Sequence, residues 1–264
     1  MPLPKRPANP NPLVLAALAL LSPLLWLLNF AMIGVGLLIA APFCLFLPFA
    51  RVQRWTVAPW IAASLRCSLN RVRYVYHPDF RPERVSVYMM NHTSMLDAHA
   101  AVGAIPAVFC GLENASHFNV PIYGWAMKAA SGIPVPKGEG RLASLIASAR
   151  ERRSRGISIL AFPEGHRTRD GVVQSFRTGA FLMAREAGMP VVPMAAHGMF
   201  RAMPKGTFVV WPGTITVFVG PQLETEGKDD AAIRELAESV RAYTQHLVDH
   251  GSFPDGATGL RRPR

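Results

Sequence analysis

Hydrophobic and polar positions divide the chain into two unlike parts. From Leu13 to Ala50 the text "LVLAALALLSPLLWLLNFAMIGVGLLIAAPFCLFLPFA" holds almost no charge, whereas beyond it apolar positions recur at alternating strand and helix periods. As one straight helix the apolar run would be about 57 Å long, against a hydrocarbon core of about 30 Å. Asn29 sits near its middle and Pro23, Pro42 and Pro48 offer kinks, which predicts two packed apolar segments, 13–28 and 30–49. One span followed by a buried helix is the alternative. A cleaved signal peptide fits poorly, because its apolar region is roughly 7 to 15 residues.

The next stretch, "RVQRWTVAPWIAASLRCSLNRVRYVYH", mixes arginine with Trp55, Trp60 and small apolar residues. It reads as a helix lying at a membrane interface, or equally as a polar-faced helix packed on a globular domain. Thereafter the periods predict a strand at 84–90, a helix at 94–104, a strand near 107, a helix at 122–131 and a strand near 133. A helix at 141–155, a strand at 157–162, a helix at 179–188, strands at 190–196, 207–211 and 214–219, and a final helix at 229–250 complete the pattern. Such alternation predicts an α/β domain with a largely parallel sheet flanked by helices, behind an N-terminal apolar membrane-anchoring segment. The expected division is 1–50 for the membrane segment, 51–80 for the interfacial helix and connector, 81–250 for the main domain and 251–264 for a basic tail.

Charge adds a partner class. The 264 residues carry a net charge of +11, which suits a surface resting on anionic lipid or a site for anionic substrates. Nucleic acid would satisfy the same charge, but no helix-turn-helix, zinc-finger or RNA-recognition signature occurs. Lys5 and Arg6 precede the apolar run, and Arg51, Arg54, Arg66, Arg71 and Arg73 come after it. A re-entrant or hairpin arrangement with both ends and the main domain on the cytoplasmic side satisfies the positive-inside bias. The tail "GLRRPR" reads as disordered. Cys44, Cys67 and Cys110 have no ligand-like spacing and read as reduced, buried thiols. The eight histidines are scattered, so no metal site is predicted.

Two stretches carry candidate chemistry. In "NHTSMLD", His92 and Asp97 stand five apart, about 140° around a regular helix, so they touch only if His92 precedes the helix and Asp97 lies in its first turns. Asn91, Thr93 and Ser94 suit such a turn. An aspartate on one imidazole nitrogen fixes the tautomer and supports the imidazolium formed when the other takes a proton; an ordinary capping turn is the competing reading. The second stretch, "ISILAFPEGHRTRDGVVQSFRTGAFLMAREAG", places Glu164 and Gly165 after a buried strand, then Arg167 and Arg169, then Arg177 and Gly179 at a helix start. Guanidiniums two residues apart can hold a phosphate by charge-assisted hydrogen bonds. A solvated basic loop is the plain alternative. Both stretches fall at strand carboxyl ends, where ligands sit in such sheets. A serine hydrolase is disfavoured, since no G-x-S-x-G elbow occurs and Ser94 is only two residues from His92.

Together "NHTSMLD", "FPEGHRTRDG", "FRTGAFLMA" and "MPVVPMAAHG" resemble the glycerolipid acyltransferase family that contains 1-acyl-sn-glycerol-3-phosphate acyltransferases. The resemblance implies His92 as general base and Asp97 as its orienting carboxylate. It implies Glu164, Gly165, Arg167 and Arg169 as the motif that holds the acceptor phosphate, and residues 190–193, "PVVP", as the motif usually assigned to the acyl-chain or donor region. It further implies a membrane-bound enzyme that moves an acyl chain from acyl-CoA or acyl carrier protein, as substrate, to a lysophospholipid, with no cofactor. Three departures bear on the acceptor. His166 replaces a common threonine, Pro136–Lys137 replaces an acid–arginine pair, and the lysine often found before "SHFNVPIYG" is missing. Lys137 keeps a point charge without the bidentate fork, which leaves open another lysolipid such as lyso-ornithine lipid. A non-catalytic lipid-binding protein would have no reason to keep His92, Asp97 and Glu164 together.

Overall fold

A computed structural model describes residues 11–121, 123–261 and 263. The apolar run forms one helix, α1 (Pro12–Ala40), capped by the Asn11 side chain, which accepts from Leu13 N–H at 2.9 Å. The two-segment expectation is therefore corrected. Pro23 lies inside the helix and removes only one backbone bond, while the neighbouring Ser22 hydroxyl donates to the Leu18 carbonyl at 2.6 Å. Asn29 does not break the chain but joins the buried stripe Ser22, Leu25, Asn29, Gly36 and Ala40. The helix ends at Ala40, and a 3₁₀ turn, Phe43–Leu45, follows Pro42.

That stripe packs on α2 (Phe49–Thr56) and α3 (Ala58–Cys67). A Cβ on Gly36 would lie 3.0 Å from the Val57 Cα, so the glycine permits the close approach. The stretch expected to be an interfacial helix is thus two short helices, and its end is a strand, β1 (Asn70–Tyr76). Its signal was the alternation in "NRVRYVY", where Arg71 and Arg73 mark the outer face.

The remaining elements are β2 (Val87–Met90), α4 (Asp97–Ala104), β3 (Phe109–Asn114), α5 (Tyr123–Ala129), β4 (Ile133–Val135) and α6 (Arg141–Ser154). Then come β5 (Ser158–Ala161), α7 (Gly179–Glu186), β6 (Val191–His197), α8 (Met199–Ala202), β7 (Gly213–Val219) and α9 (Asp230–His250). The sheet runs β1-β7-β6-β2-β5-β3-β4. Its pairs are parallel except β6 with β7, as the largely parallel expectation required.

Strands β2, β5 and β6 are buried on both faces, the usual state of central parallel strands. Tyr88 and Met90 join a cluster with Leu65, Leu96, Ala100 and Met199, whereas Val87 and Met89 join Leu145, Phe181 and Val240 on the opposite face. Leu25 of α1 belongs to the first cluster, with Leu21 and Trp26 against it, so the apolar helix is part of the domain.

Residues 207–211 form no strand. Their backbone groups go elsewhere: Val210 N–H donates to Ser22 Oγ at 3.0 Å and the Phe208 carbonyl accepts from Trp26 Nε1 at 3.0 Å. Residues 251–261 are docked rather than loose. Leu260 exchanges both backbone bonds with Tyr76 at 2.8 Å, Phe253 is buried, and Asp255 holds His77 at 2.7 Å. These contacts cover the outer edge of β1. The cysteines are free, but only Cys110 is buried; Cys44 is exposed in the 3₁₀ turn and Cys67 is half-buried.

Gly124 lies where a Cβ would collide with the Phe118 carbonyl, so Gly124→Ala is expected to destabilise by about 1–3 kcal/mol. A thermal melt should show a Tm lower by several degrees; an unchanged Tm would count against that approach. Burial pushes the Cys110 thiol up to about 11, so it stays protonated at pH 8. Iodoacetamide should label Cys44 in solubilised protein and spare Cys110 until denaturant is added.

Candidate active site

Strands β2 and β5 are adjacent and parallel, so the loops after Met90 and Ala161 leave the same sheet edge side by side. Asn91 is buried and its Oδ1 accepts from Ala196 N–H of β6 at 2.9 Å, which fixes the chain where it leaves β2. His92 comes next in the loop and Asp97 opens α4, the placement that their spacing requires.

Asp97 is fully buried. Its Oδ2 lies 2.8 Å from His92 Nδ1 and accepts from Thr93 N–H at 2.6 Å and Ser94 N–H at 2.8 Å. Its Oδ1 accepts from the Thr93 hydroxyl at 3.2 Å. A carboxylate accepts only, so Nδ1 carries the hydrogen, and in the neutral ring Nε2 has the lone pair. The ring stacks on Phe162, centroids 4.2 Å apart at 23°, and remains 24% exposed. That exposure lets a substrate reach it. Ser94 is buried and its Oγ accepts from Leu96 N–H at 3.2 Å, which makes it part of the turn.

Glu164 is buried. Oε1 accepts from His92 N–H at 2.6 Å and Oε2 from Gln174 N–H at 2.9 Å, so one carboxylate ties the β2 loop to both ends of the β5 loop. Burial raises its pKa, against the two N–H donors, which favour the charged form. With both oxygens occupied by backbone, Glu164 shapes the loop. Gly165 is left-handed at φ +74°, and a Cβ there would meet the Arg177 guanidinium at 2.7 Å; only glycine suits both conditions.

The peptide after Arg167 lies directly beside the histidine, since Thr168 N–H donates to the His92 carbonyl at 2.8 Å. Arg167 is half-buried and Arg169 exposed, and neither forms an ion pair with a described residue. Asp170, the acid of this loop, is taken up by the Thr168 hydroxyl at 2.6 Å and Val172 N–H at 3.0 Å. The arginine charges are therefore not neutralised. Lys137 is exposed, two residues beyond the edge strand β4, with β3 between β4 and β5, a lateral offset of about 10 Å. His166 is exposed. Residues 190–193 enter the buried strand β6, where the Pro190 carbonyl accepts from Val87 N–H at 2.9 Å. The stacking Phe162 and the clamped Gln174 lie in the same stretch of sequence as Glu164, but nothing in their spacing marked their partners.

The sequence pattern of the acyltransferase family matches residues 71–197, which contain the paired loops. A 1-acyl-sn-glycerol-3-phosphate acyltransferase of Pseudomonas aeruginosa is 30% identical over 207 residues, covering 76% of this chain and 80% of that protein. The chain belongs to the acyltransferase family. It is an O-acyltransferase by that membership. A protein of the same description from Chlamydomonas reinhardtii is 28% identical over 250 residues, covering 91% of this chain and 75% of that one. The fold of the acyltransferase is also that of the 1-acyl-sn-glycerophosphate acyltransferase of Thermotoga maritima, with a TM-score of 0.71 at 20% identity over 88% of this chain and 95% of that one.

Replacing Glu164 by glutamine leaves one carbonyl oxygen where two N–H groups need acceptors. Glu164→Gln is expected to lower stability by about 1–3 kcal/mol, measured by thermal unfolding. Unchanged stability, with His92 N–H as protected from hydrogen exchange as before, would refute the clamp.

Proposed function

We propose that this acyltransferase moves an acyl chain from a thioester donor, acyl-CoA or acyl carrier protein, to the free hydroxyl of 1-acyl-sn-glycerol-3-phosphate, giving phosphatidic acid. The observation that carries this reading is the His92–Asp97 pair, 2.8 Å apart, beside the unneutralised Arg167 and Arg169. The names of its relatives in Pseudomonas and Chlamydomonas support the same acceptor.

In this mechanism the acceptor hydroxyl approaches His92 Nε2, which takes its proton as the oxygen attacks the thioester carbonyl. The new C–O bond forms and the C–S bond breaks. The proton on the imidazolium passes to the departing thiolate, and Asp97 stabilises the imidazolium in between. No acyl-enzyme is required, which agrees with the use of Ser94 in the turn. Arg167 and Arg169 hold the headgroup by charge-assisted hydrogen bonds, with Lys137 as a more distant charge. No cofactor takes part.

The acyltransferase has one helix, among the described residues, long and apolar enough to cross a membrane, α1. Leu20, Leu24, Leu27, Phe30 and Leu38 are exposed on it. Its middle is tied to the domain at Ser22 and Trp26 and its end to α2 and α3, which favours a helix dipping into one leaflet. Both ends and the catalytic domain then face the cytoplasm, and Arg51 and Arg54 meet anionic headgroups at about 1 kcal/mol each. An acceptor with another headgroup, such as a lyso-ornithine lipid, is the second reading. The offset Lys137 favours it, because the charge in that motif is displaced from the arginines.

Protein incubated with labelled acyl donor and a panel of lysolipids should yield phosphatidic acid; a different product identifies another acceptor, and no product contradicts catalysis. His92→Ala should nearly abolish turnover, and Asp97→Asn should lower kcat by about 10²- to 10⁴-fold. Wild-type rates in both variants would exclude the general-base mechanism.

A further inference from the structure

We propose that Lys205 is a further cation of the acceptor site and selects for a phosphomonoester headgroup, an assignment that rests on the lysophosphatidate reading above. The sequence motifs place no residue there, because Lys205 lies in the connection between β6 and β7, 38 positions from Arg167. The fold brings it back. Lys205 Nζ donates to the Arg167 carbonyl at 3.3 Å, and the N–H of the same peptide unit, that of Thr168, donates to the His92 carbonyl at 2.8 Å. One peptide thus bridges the histidine main chain on one side and the ammonium on the other. Given standard peptide dimensions, the ammonium stands within about 8 Å of the His92 carbonyl oxygen.

Three further observations place Lys205 as a charge available to a ligand. It forms no ion pair with a described residue, and only one of the three donors of its ammonium has a partner there. The segment that carries it is seated on the arginine loop rather than beside it: the Phe200 ring lies 2.9 Å from where a Cβ on Gly171 would stand, and Gly171 is left-handed at φ +86°. Arg201 on the same segment keeps a buried Nε with no hydrogen-bond partner among the described residues.

The segment also reaches the lipid-facing side. Phe208 is 68% exposed, packs edge-on against Trp26 with centroids 6.2 Å apart, and accepts the Trp26 indole N–H at its carbonyl. Three residues span at most about 10 Å, so Lys205 is near both the apolar surface at Phe208 and the His92 loop, within reach of a headgroup whose chain remains in lipid. A phosphomonoester carries more negative charge than a phosphodiester, and a point cation without bidentate geometry responds to that charge.

The test uses full-length protein in mixed micelles with an acyl-CoA donor, and two acceptors, 1-oleoyl-sn-glycerol 3-phosphate and 1-oleoylglycerol. Lys205→Met is expected to raise KM for the phosphate acceptor about tenfold with kcat within about twofold of wild type. Lys205→Arg should recover most of that loss, and KM for 1-oleoylglycerol should not change in parallel. Equal losses on both acceptors would reveal a loop that has merely been disturbed, and an unchanged KM on the phosphate acceptor would remove Lys205 from the site; either result overturns this assignment and leaves the general-base reading standing. Wild-type protein that fails to acylate the phosphate acceptor would instead overturn the lysophosphatidate reading, and this assignment with it.

Discussion

The Glu164 carboxylate is buried between two loops and accepts an N–H from each, His92 on one and Gln174 on the other. Burying a carboxylate is costly, and its raised pKa reflects that cost; the two charge-assisted bonds offset it. The clamp supplies position. Strands β2 and β5 set the distance between the loops through their ladder, but a ladder does not orient the loops beyond its last pair. Glu164 does so at the main chain of His92, and Asp97 then fixes the ring and its tautomer.

With the loops locked, charge and apolar surface can be arranged around one exposed nitrogen. Asp170 of the arginine loop accepts from Thr168 and Val172 rather than from a guanidinium, and neither Arg167 nor Arg169 forms an ion pair with a described residue. On the adjacent side α1 contributes to the core through Leu25 and to the β6–β7 connection through Ser22 and Trp26. A substrate with a charged head and an apolar chain requires that neighbourhood. The helix is thus a wall of the domain as well as an apolar helix long enough to cross a membrane.

Some of this was legible in the sequence and some was not, for definable reasons. Apolar runs such as "ISILAF" located the central strands to within three residues, because strands buried on both faces must be continuously apolar. Strand β1 was hidden because its outward positions are arginines, which serve equally well as charge flanking a membrane segment. Residues 207–211 have strand composition but no strand partner, since Val210 and Phe208 bond to side chains of α1 and Trp211 N–H bonds to the Ala202 carbonyl. The expected break at Asn29 failed because a polar residue in an apolar helix can turn toward neighbouring helices, which periodicity within the helix does not reveal.

The sequence by itself determined the alternation of strands and helices, the family motifs, and the one local arrangement in which His92 can reach Asp97, because those depend on local spacing and on residues close in the chain. Only the tertiary structure decided that Glu164 would hold His92 across 72 positions and that Lys205, rather than Lys137, would stand beside Arg167. Those contacts depend on sheet order. Strand β2 lies between β5 and β6, so segments far apart in the chain meet at one edge, and the order in which strands pair is set by packing across the whole domain rather than by any local pattern.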